Sequence, residues 1–192
     1  MIMKLIKFTI LFLCLPVTYA FSQVHVKGSR FFDIAAGTVD GIDHNLKNDN
    51  SGFWVSLGTG RYNKFENSWR WNLDYLQKTY AFSPDGLNTG TIPVRHYSVQ
   101  FGHGFKLIKS KRRVFYLNAI PQLLAGYESV NNNVSVAGNY HINNKNKFLI
   151  GGMVGIEIEI EHFTIQAKQR WLPKSSTKIF HTQLGIGYRF NR

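Results

Sequence analysis

The chain has 192 residues, a net charge of +12 and a single cysteine. That length suits one domain with a sizeable core, and a lone cysteine excludes an internal disulfide. A basic balance is compatible with nucleic acid, anionic lipid or lipopolysaccharide as a neighbour; here the basic residues are scattered and carry no nucleic-acid motif, so no direct nucleic-acid contact is expected.

In chain order the first element is a leader. Lys4 and Lys7 precede an apolar run over residues 8–17, too short to cross a bilayer as a helix and suited to the apolar centre of a signal peptide. Ala20 could itself precede the cut. We place Ala20 and Ser22 at the third and first positions before it, which makes 1–22 a signal peptide and 23–192 the mature domain. Cys14 follows Phe12 and Leu13 rather than small residues, so it is not read as a lipidation site, and the mature chain has no thiol.

No later stretch shows a sustained helical period. Period-2 runs recur, separated by Asn, Asp, Gly and Ser clusters, which predicts strands. We assign eight: 30–38, 52–61, 68–82, 92–107, 113–128, 147–160, 163–171 and 179–190. In the third, Trp69, Trp71, Leu73 and Tyr75 alternate with Arg70, Asn72 and Asp74. In the fourth, Tyr97, Val99, Phe101 and Phe105 alternate with His96, Ser98, Gln100, Gly102 and Gly104. The fifth is interrupted by Pro121, where a bulge or a lost ladder bond is expected. The sixth sets Ile150, Val154, Ile156, Ile158 and Ile160 against Gly151, Gly155, Glu157 and Glu159.

Alternation alone does not say which face points outward. Three features favour apolar outward, as in a membrane barrel. Trp69, Trp71, Tyr75, Tyr80, Phe163, Trp171, Tyr188 and Phe190 could supply two interfacial girdles. Glu157 and Glu159 stand against Lys168 and Arg170 on the next strand, as charge pairs of a narrow polar lumen. Many glycines share that face, where a small barrel has little room. The connections also alternate: 39–50, 83–91, 129–146 and 172–178 are long, and 62–67, 108–112 and 161–162 are short. Long extracellular loops and short periplasmic turns give this pattern when both termini are periplasmic. The expected fold is therefore all-β: an eight-stranded antiparallel transmembrane β-barrel of the outer membrane, preceded by a cleaved signal peptide, with membrane lipid and lipopolysaccharide as neighbours. A soluble secreted barrel is the rival.

The chain ends in QLGIGYRFNR. Gln183, Gly185, Tyr188 and Phe190 resemble the terminal-strand signal read by the barrel-assembly machinery, displaced slightly inward because Asn191 and Arg192 follow.

Chemistry is sparse. His96 and Ser98 lie two apart on one strand face, and an outer-membrane lipid A deacylase of the same barrel size uses a His-x-Ser pair with a later acid. Against this, both residues fall on the face assigned to the lumen, Val99 replaces that family's Asn, and no acid has the expected placement, so no catalytic residues are assigned. His44, His103, His141, His162 and His181 have no metal-ligand spacing. Asp40, Asp43, Asp49 and Asn50 lack the spacing of a calcium loop. No cofactor is expected. The Asn-rich stretch 129–146 is read as a solvated loop, with a partner contact as the alternative, and KSKRR (109–113) as a charged hairpin turn.

With the strands placed, the chain resembles the conjugative-transposon TraO family of the Bacteroidetes, most clearly in LLAGYESVN (123–131), FLIGGMVGIEIE (148–159), QRW (169–171) and FHTQLGIGYRF (180–190). The resemblance implies a non-enzymatic outer-membrane component of a conjugative, type IV secretion-like apparatus, an anchor or partner of other conjugation proteins, with no catalytic or ligand-binding residues to carry over. The alternatives are a general small barrel for adhesion or envelope stability, and the lipid-modifying enzyme that His96 and Ser98 would serve.

Overall fold

The computed structural model describes residues 25–40, 52–82, 90–130, 145–176 and 178–191. The expected leader and cleavage site, most of the first long loop with His44, Asp43, Asp49 and Asn50, and residues 131–144 of the Asn-rich stretch with His141 lie outside them.

Eight strands form: β1 (Arg30–Val39), β2 (Gly52–Tyr62), β3 (Ser68–Phe82), β4 (Gly90–Lys109), β5 (Phe115–Val130), β6 (Lys145–Ile160), β7 (Phe163–Trp171) and β8 (Phe180–Asn191). β3 and β7 have the expected bounds. The others differ by one or two residues at their ends: ladder pairing mostly extends past the periodic apolar run, while β5 and β8 begin later than expected. Each strand pairs antiparallel with the next, and β8 returns to β1, with Tyr188 opposite Ile34 and Phe190 opposite Phe32. The sheet is a closed barrel, so every strand is paired on both sides over the barrel body.

Local chemistry sets the reversals. Glu66, Arg113 and Glu161 adopt left-handed φ of 64°, 57° and 56°, one in each short connection, as tight hairpins require. In the β2–β3 turn the Asn63 side-chain carbonyl accepts from the backbone N–H of Phe65 and of Asn67. Pro121 has the anticipated effect: β4 and β5 pair at Gly102–Gln122 and again at Phe105–Ala119, with no pair between, since proline offers no N–H. The bulge lies elsewhere, between Lys106 and Ile108 of β4.

The faces are inverted relative to a soluble barrel. Phe53, Val55, Leu57, Trp69, Trp71, Leu73, Val99, Leu123, Ile150, Val154, Ile156 and Ile186 are exposed on the outer wall. Asp33, Arg70, Asp74, Gln100, Gln122, Glu157, Glu159, Lys168, Arg170 and Arg189 are buried inside. A water-facing wall of that composition would be a very large apolar patch. Against hydrocarbon it is the lower-energy arrangement, because closure leaves no unpaired backbone for the lipid to meet. The chain is thus an outer-membrane-type barrel with a polar interior.

One girdle assignment is corrected. Tyr80 is not on the outer face: it shares the parity of Arg70, Asp74 and Lys78, and the Lys78 ammonium sits 5.0 Å from its ring centre. Trp69, Trp71, Phe163, Trp171 and Phe190 are outward and exposed.

Candidate functional site

The interior holds several polar clusters at successive levels of the barrel, together with two buried apolar clusters, Ala35, Val39, Trp54 and Leu76, and Leu124, Leu149 and Leu172. At the short-turn end the chain before β1 folds back into the lumen. Gly28, at φ 85°, lets the chain turn there while its N–H donates to the Tyr62 carbonyl. That places the His25 ring between Tyr62 and Tyr116, with centroids 4.1 and 3.7 Å away, and His25 Nε2 3.1 Å from Glu159. Nothing in the sequence marks His25 for this role, because it precedes the first strand and belongs to no periodic run.

Above it lies the Glu157 hub. Arg70 donates to both Glu157 oxygens, at 3.0 and 2.8 Å. Arg189 donates to Glu157 and Asp33, each at 3.0 Å, and to Glu159. Asn118 and Gln166 complete the shell around Glu157 at 3.3 and 3.0 Å. Such saturation lets carboxylates stay buried, since an unpaired one would be strongly disfavoured. The next layer joins Asp74 to Arg170 (3.0 Å) and Gln100 (2.7 Å), and Arg170 also donates to the Ser98 hydroxyl at 3.0 Å. Lys168 lies over Trp54, 4.5 Å from the ring centre.

The pairing read from sequence is therefore corrected. Glu157, Glu159, Lys168 and Arg170 are all interior, but Glu157 and Glu159 pair with Arg70, Arg189 and His25. In the β6–β7 register Glu157 faces Gln166 and Glu159 faces Thr164, while Lys168 and Arg170 face Gly155 and Met153. The two sets are offset along the barrel, and the acids find their partners across the lumen instead.

The long-loop end closes differently. Glu128 meets His96 Nε2 at 3.2 Å and accepts from the Ser175 hydroxyl (2.7 Å) and the Ser176 N–H (2.9 Å), which draws the β7–β8 connection over the mouth. Just past β1, Asp40 accepts from Lys78 (2.6 Å) and the Thr182 N–H (2.7 Å), and His181 Nδ1 lies 3.2 Å from it. Burial alone would raise the Asp40 pKa; the hydrogen bonds from His181, Lys78 and Thr182 outweigh it and hold the carboxyl well below the ordinary carboxylate range. A carboxyl whose pKa is lower folded than unfolded stabilises the fold above its unfolded value, and loses that contribution as pH falls through the folded value. Asp40→Asn is therefore expected to cost about 1.5–3 kcal/mol at neutral pH, the usual worth of hydrogen bonds to a charged group. In urea titrations of the refolded barrel, the gap to the parent should persist to about pH 4 and close only in stronger acid.

The structure supplies the acid that sequence reading did not find for His96. It is Glu128, directly opposite in the β4–β5 register, and only the hairpin's register reveals it. The three groups still do not form a nucleophilic triad. A serine nucleophile needs the imidazole within hydrogen-bond reach. Here the ring reaches Glu128 through Nε2, its Nδ1 has no hydrogen-bond partner among the described residues, and the Ser98 hydroxyl is held by Arg170. Both side chains point into the filled interior, away from the lipid wall. Ser98→Ala is expected to leave the acylation of cellular lipid A unchanged, as read by mass spectrometry. Among the described residues no three His, Cys, Asp or Glu side chains converge as a metal site.

The terminal-strand residues divide by face. Gln183 is buried inside. A Cβ at Gly185 would fall on the Ala36 carbonyl and the Trp54 ring, so glycine is needed where Trp54 packs across the lumen. Tyr188 and Phe190 point outward, their rings 4.8 Å apart, and they touch Phe163 and Phe32 across the neighbouring strands.

The family model for the conjugative transposon protein TraO matches residues 26–192, all of the barrel and the segment that leads into it. The chain belongs to the TraO family. No curated protein matches it. Among solved structures, the TraO-family barrel is similar to the outer membrane protein OprG of Pseudomonas aeruginosa, with 12% identity and a TM-score of 0.52 over 88% of this chain and 98% of that one. Ail, the attachment invasion locus protein of Yersinia pestis, shares 18% identity with a TM-score of 0.49 over 86% of this chain and 100% of that one. Neisserial surface protein A shares 14% with a TM-score of 0.49 over 85% and 96%. The likeness to OprG agrees with the fold read from the inverted faces. The chain is a conjugation-related outer-membrane β-barrel.

Proposed function

We propose that this barrel is a non-enzymatic component of a conjugative, type IV secretion-like transfer apparatus of a mobile element, held in the outer membrane as an anchor or docking partner for other transfer proteins. The observation that carries this reading is the family match over residues 26–192 on a barrel whose lumen is packed with side chains. An eight-stranded barrel is too narrow to pass DNA, and the Arg70–Glu157–Arg189 cross-links occupy its axis. What remains for function is the outer wall, the turns and the loops.

The orientation in this reading puts the termini and the short turns at 63–67, 110–114 and 161–162 in the periplasm, and the long connections outside. The leader 1–22 delivers the chain and is removed. The barrel-assembly machinery recognises β8 through Gln183, Gly185, Tyr188 and Phe190, and the outer wall then meets phospholipid and lipopolysaccharide. The periplasmic surface is a compact basic knob: Glu66 in one turn gathers Lys106 (2.6 Å), Lys109 (3.0 Å) and Arg113 (3.7 Å) from the next hairpin, which fixes the two turns side by side.

The test is affinity purification of the tagged chain from cross-linked donor envelopes. Recovery of other transfer proteins encoded on the same element supports the reading. Recovery of the barrel with only general envelope proteins, under conditions where transfer is active, contradicts it.

A further inference from the structure

Strand β6 outruns β7. It pairs with β5 from Lys145 to Ile160, but its pairing with β7 begins only at Gly152, opposite Trp171. Residues 145–150 are thus paired on one side only among the described residues. The opposite flank is similar: residues 78–82 of β3 extend beyond Gln77, its last pair with β2. Among the described residues, strands β3–β6 therefore stand above the rest of the rim as a half-wall at the long-loop end, and the edge that closure removes elsewhere reappears along β6.

Among its described residues, the neighbouring connection does not pair along that edge. It turns over the lumen mouth: Leu172 N–H donates to the Ile179 carbonyl, and Ser176 N–H to Glu128. Leu172 packs with Leu149 and Leu124 at the base of the half-wall. On the outer face Phe148 and Ile150 are 65% and 68% exposed.

We propose that the open edge of β6, residues 145–150, docks an extended acidic segment of a partner protein, added to the half-wall as a further strand. Backbone groups of an unpaired edge give affinity for any extended chain, and side chains give the choice among them. The segments bordering this edge, 145–152 and 172–180, contain no acid and offer the positive charge of Lys145, Lys147 and Lys174. Glu128, opposite Lys147 in the ladder, is already engaged by His96, Ser175 and Ser176. A second copy laid edge to edge would set lysines against lysines, which disfavours self-association. An alternating strand with acids on the Lys147 face and apolar residues on the Phe148–Ile150 face satisfies both sides. The inference does not depend on the transfer role, and loss of that role would leave it standing.

The test uses the full chain in nanodiscs of neutral phospholipid and three labelled peptides: alternating Glu–Val, alternating Lys–Val, and the Glu–Val peptide with two central prolines. Glu–Val is expected to bind at least about tenfold tighter than either control, because only it offers both charge and a continuous ladder. Binding should slow amide exchange at residues 145–150, and the K145E/K147E double variant should invert the peptide preference while keeping the heat-shifted gel mobility of a folded barrel. Four results would each overturn the proposal: no binding of Glu–Val; equal binding of the proline peptide, which reduces the contact to charge; amides at 145–150 already protected in the free protein, which means the chain covers its own edge; or loss of peptide binding when lipopolysaccharide is included, which assigns the lysines to lipid phosphate.

Discussion

Arg189→Ala should destabilise the barrel by about 3–5 kcal/mol, the usual consequence of removing one partner from a buried ionic cluster. Arg189 is fully buried and bridges Asp33, Glu157 and Glu159, which lie on β1 and β6. Without it Glu157 keeps Arg70 and Glu159 keeps His25, but Asp33 loses its ion pair. The hub is then left with excess negative charge in a space closed off from water. Arg189→Lys keeps the charge but loses the fork that reaches several carboxylates at once, so it should fall between the two. The readout is the urea midpoint of the barrel in phospholipid vesicles, followed by heat-dependent gel mobility. A fall within about 0.5 kcal/mol would mean that the cluster is not the organising contact of the lumen.

The second large effect is on the outer wall. Leu123 lies midway along β5 and is 74% exposed. On a water-facing wall, exchanging such a leucine for arginine changes stability little, within about 0.5 kcal/mol. On a lipid-facing wall near mid-depth it costs about 2–4 kcal/mol. Leu123→Arg, compared in vesicles with a substitution such as Lys64→Ala in the exposed β2–β3 turn, therefore measures which medium surrounds the barrel. A near-neutral Leu123→Arg would revive the soluble alternative.

These two positions show what could be read in advance. Outward residues such as Val154 and Ile156 were legible because the strand period is two; Leu123 was not, because it stands beside Leu124 in a strand that is apolar on both faces in places. A run such as Val154, Ile156, Ile158 and Ile160 against Glu157 and Glu159 assigns every side chain to a face once one is known. The same parity places Tyr80 inside with Lys78, and ignoring it there produced the one misplaced aromatic. Faces are a local property of the sequence; partners are not. Arg189 meets Asp33 and the hub of Glu157 and Arg70 only because eight strands close with a fixed stagger, and no single hairpin encodes it. Glu128 opposite His96 needed the β4–β5 register, and that depended on a turn and on a bulge at Lys106–Ile108 that the periodicity did not announce. His25 was illegible for another reason: it belongs to no strand, and its seat between Tyr62 and Tyr116 exists only after closure. The open β6 edge likewise follows from unequal strand lengths, visible only when Gly152 is known to be the first residue to meet β7.

The measurement that tests the account most directly is the mating frequency of a donor lacking this gene, with and without a complementing copy. A clear fall in transfer that the intact copy restores is the expected result. Transfer at the parental frequency in the deletion strain would contradict a working part in the apparatus, leaving the closed outer-membrane barrel to be explained by adhesion or envelope maintenance.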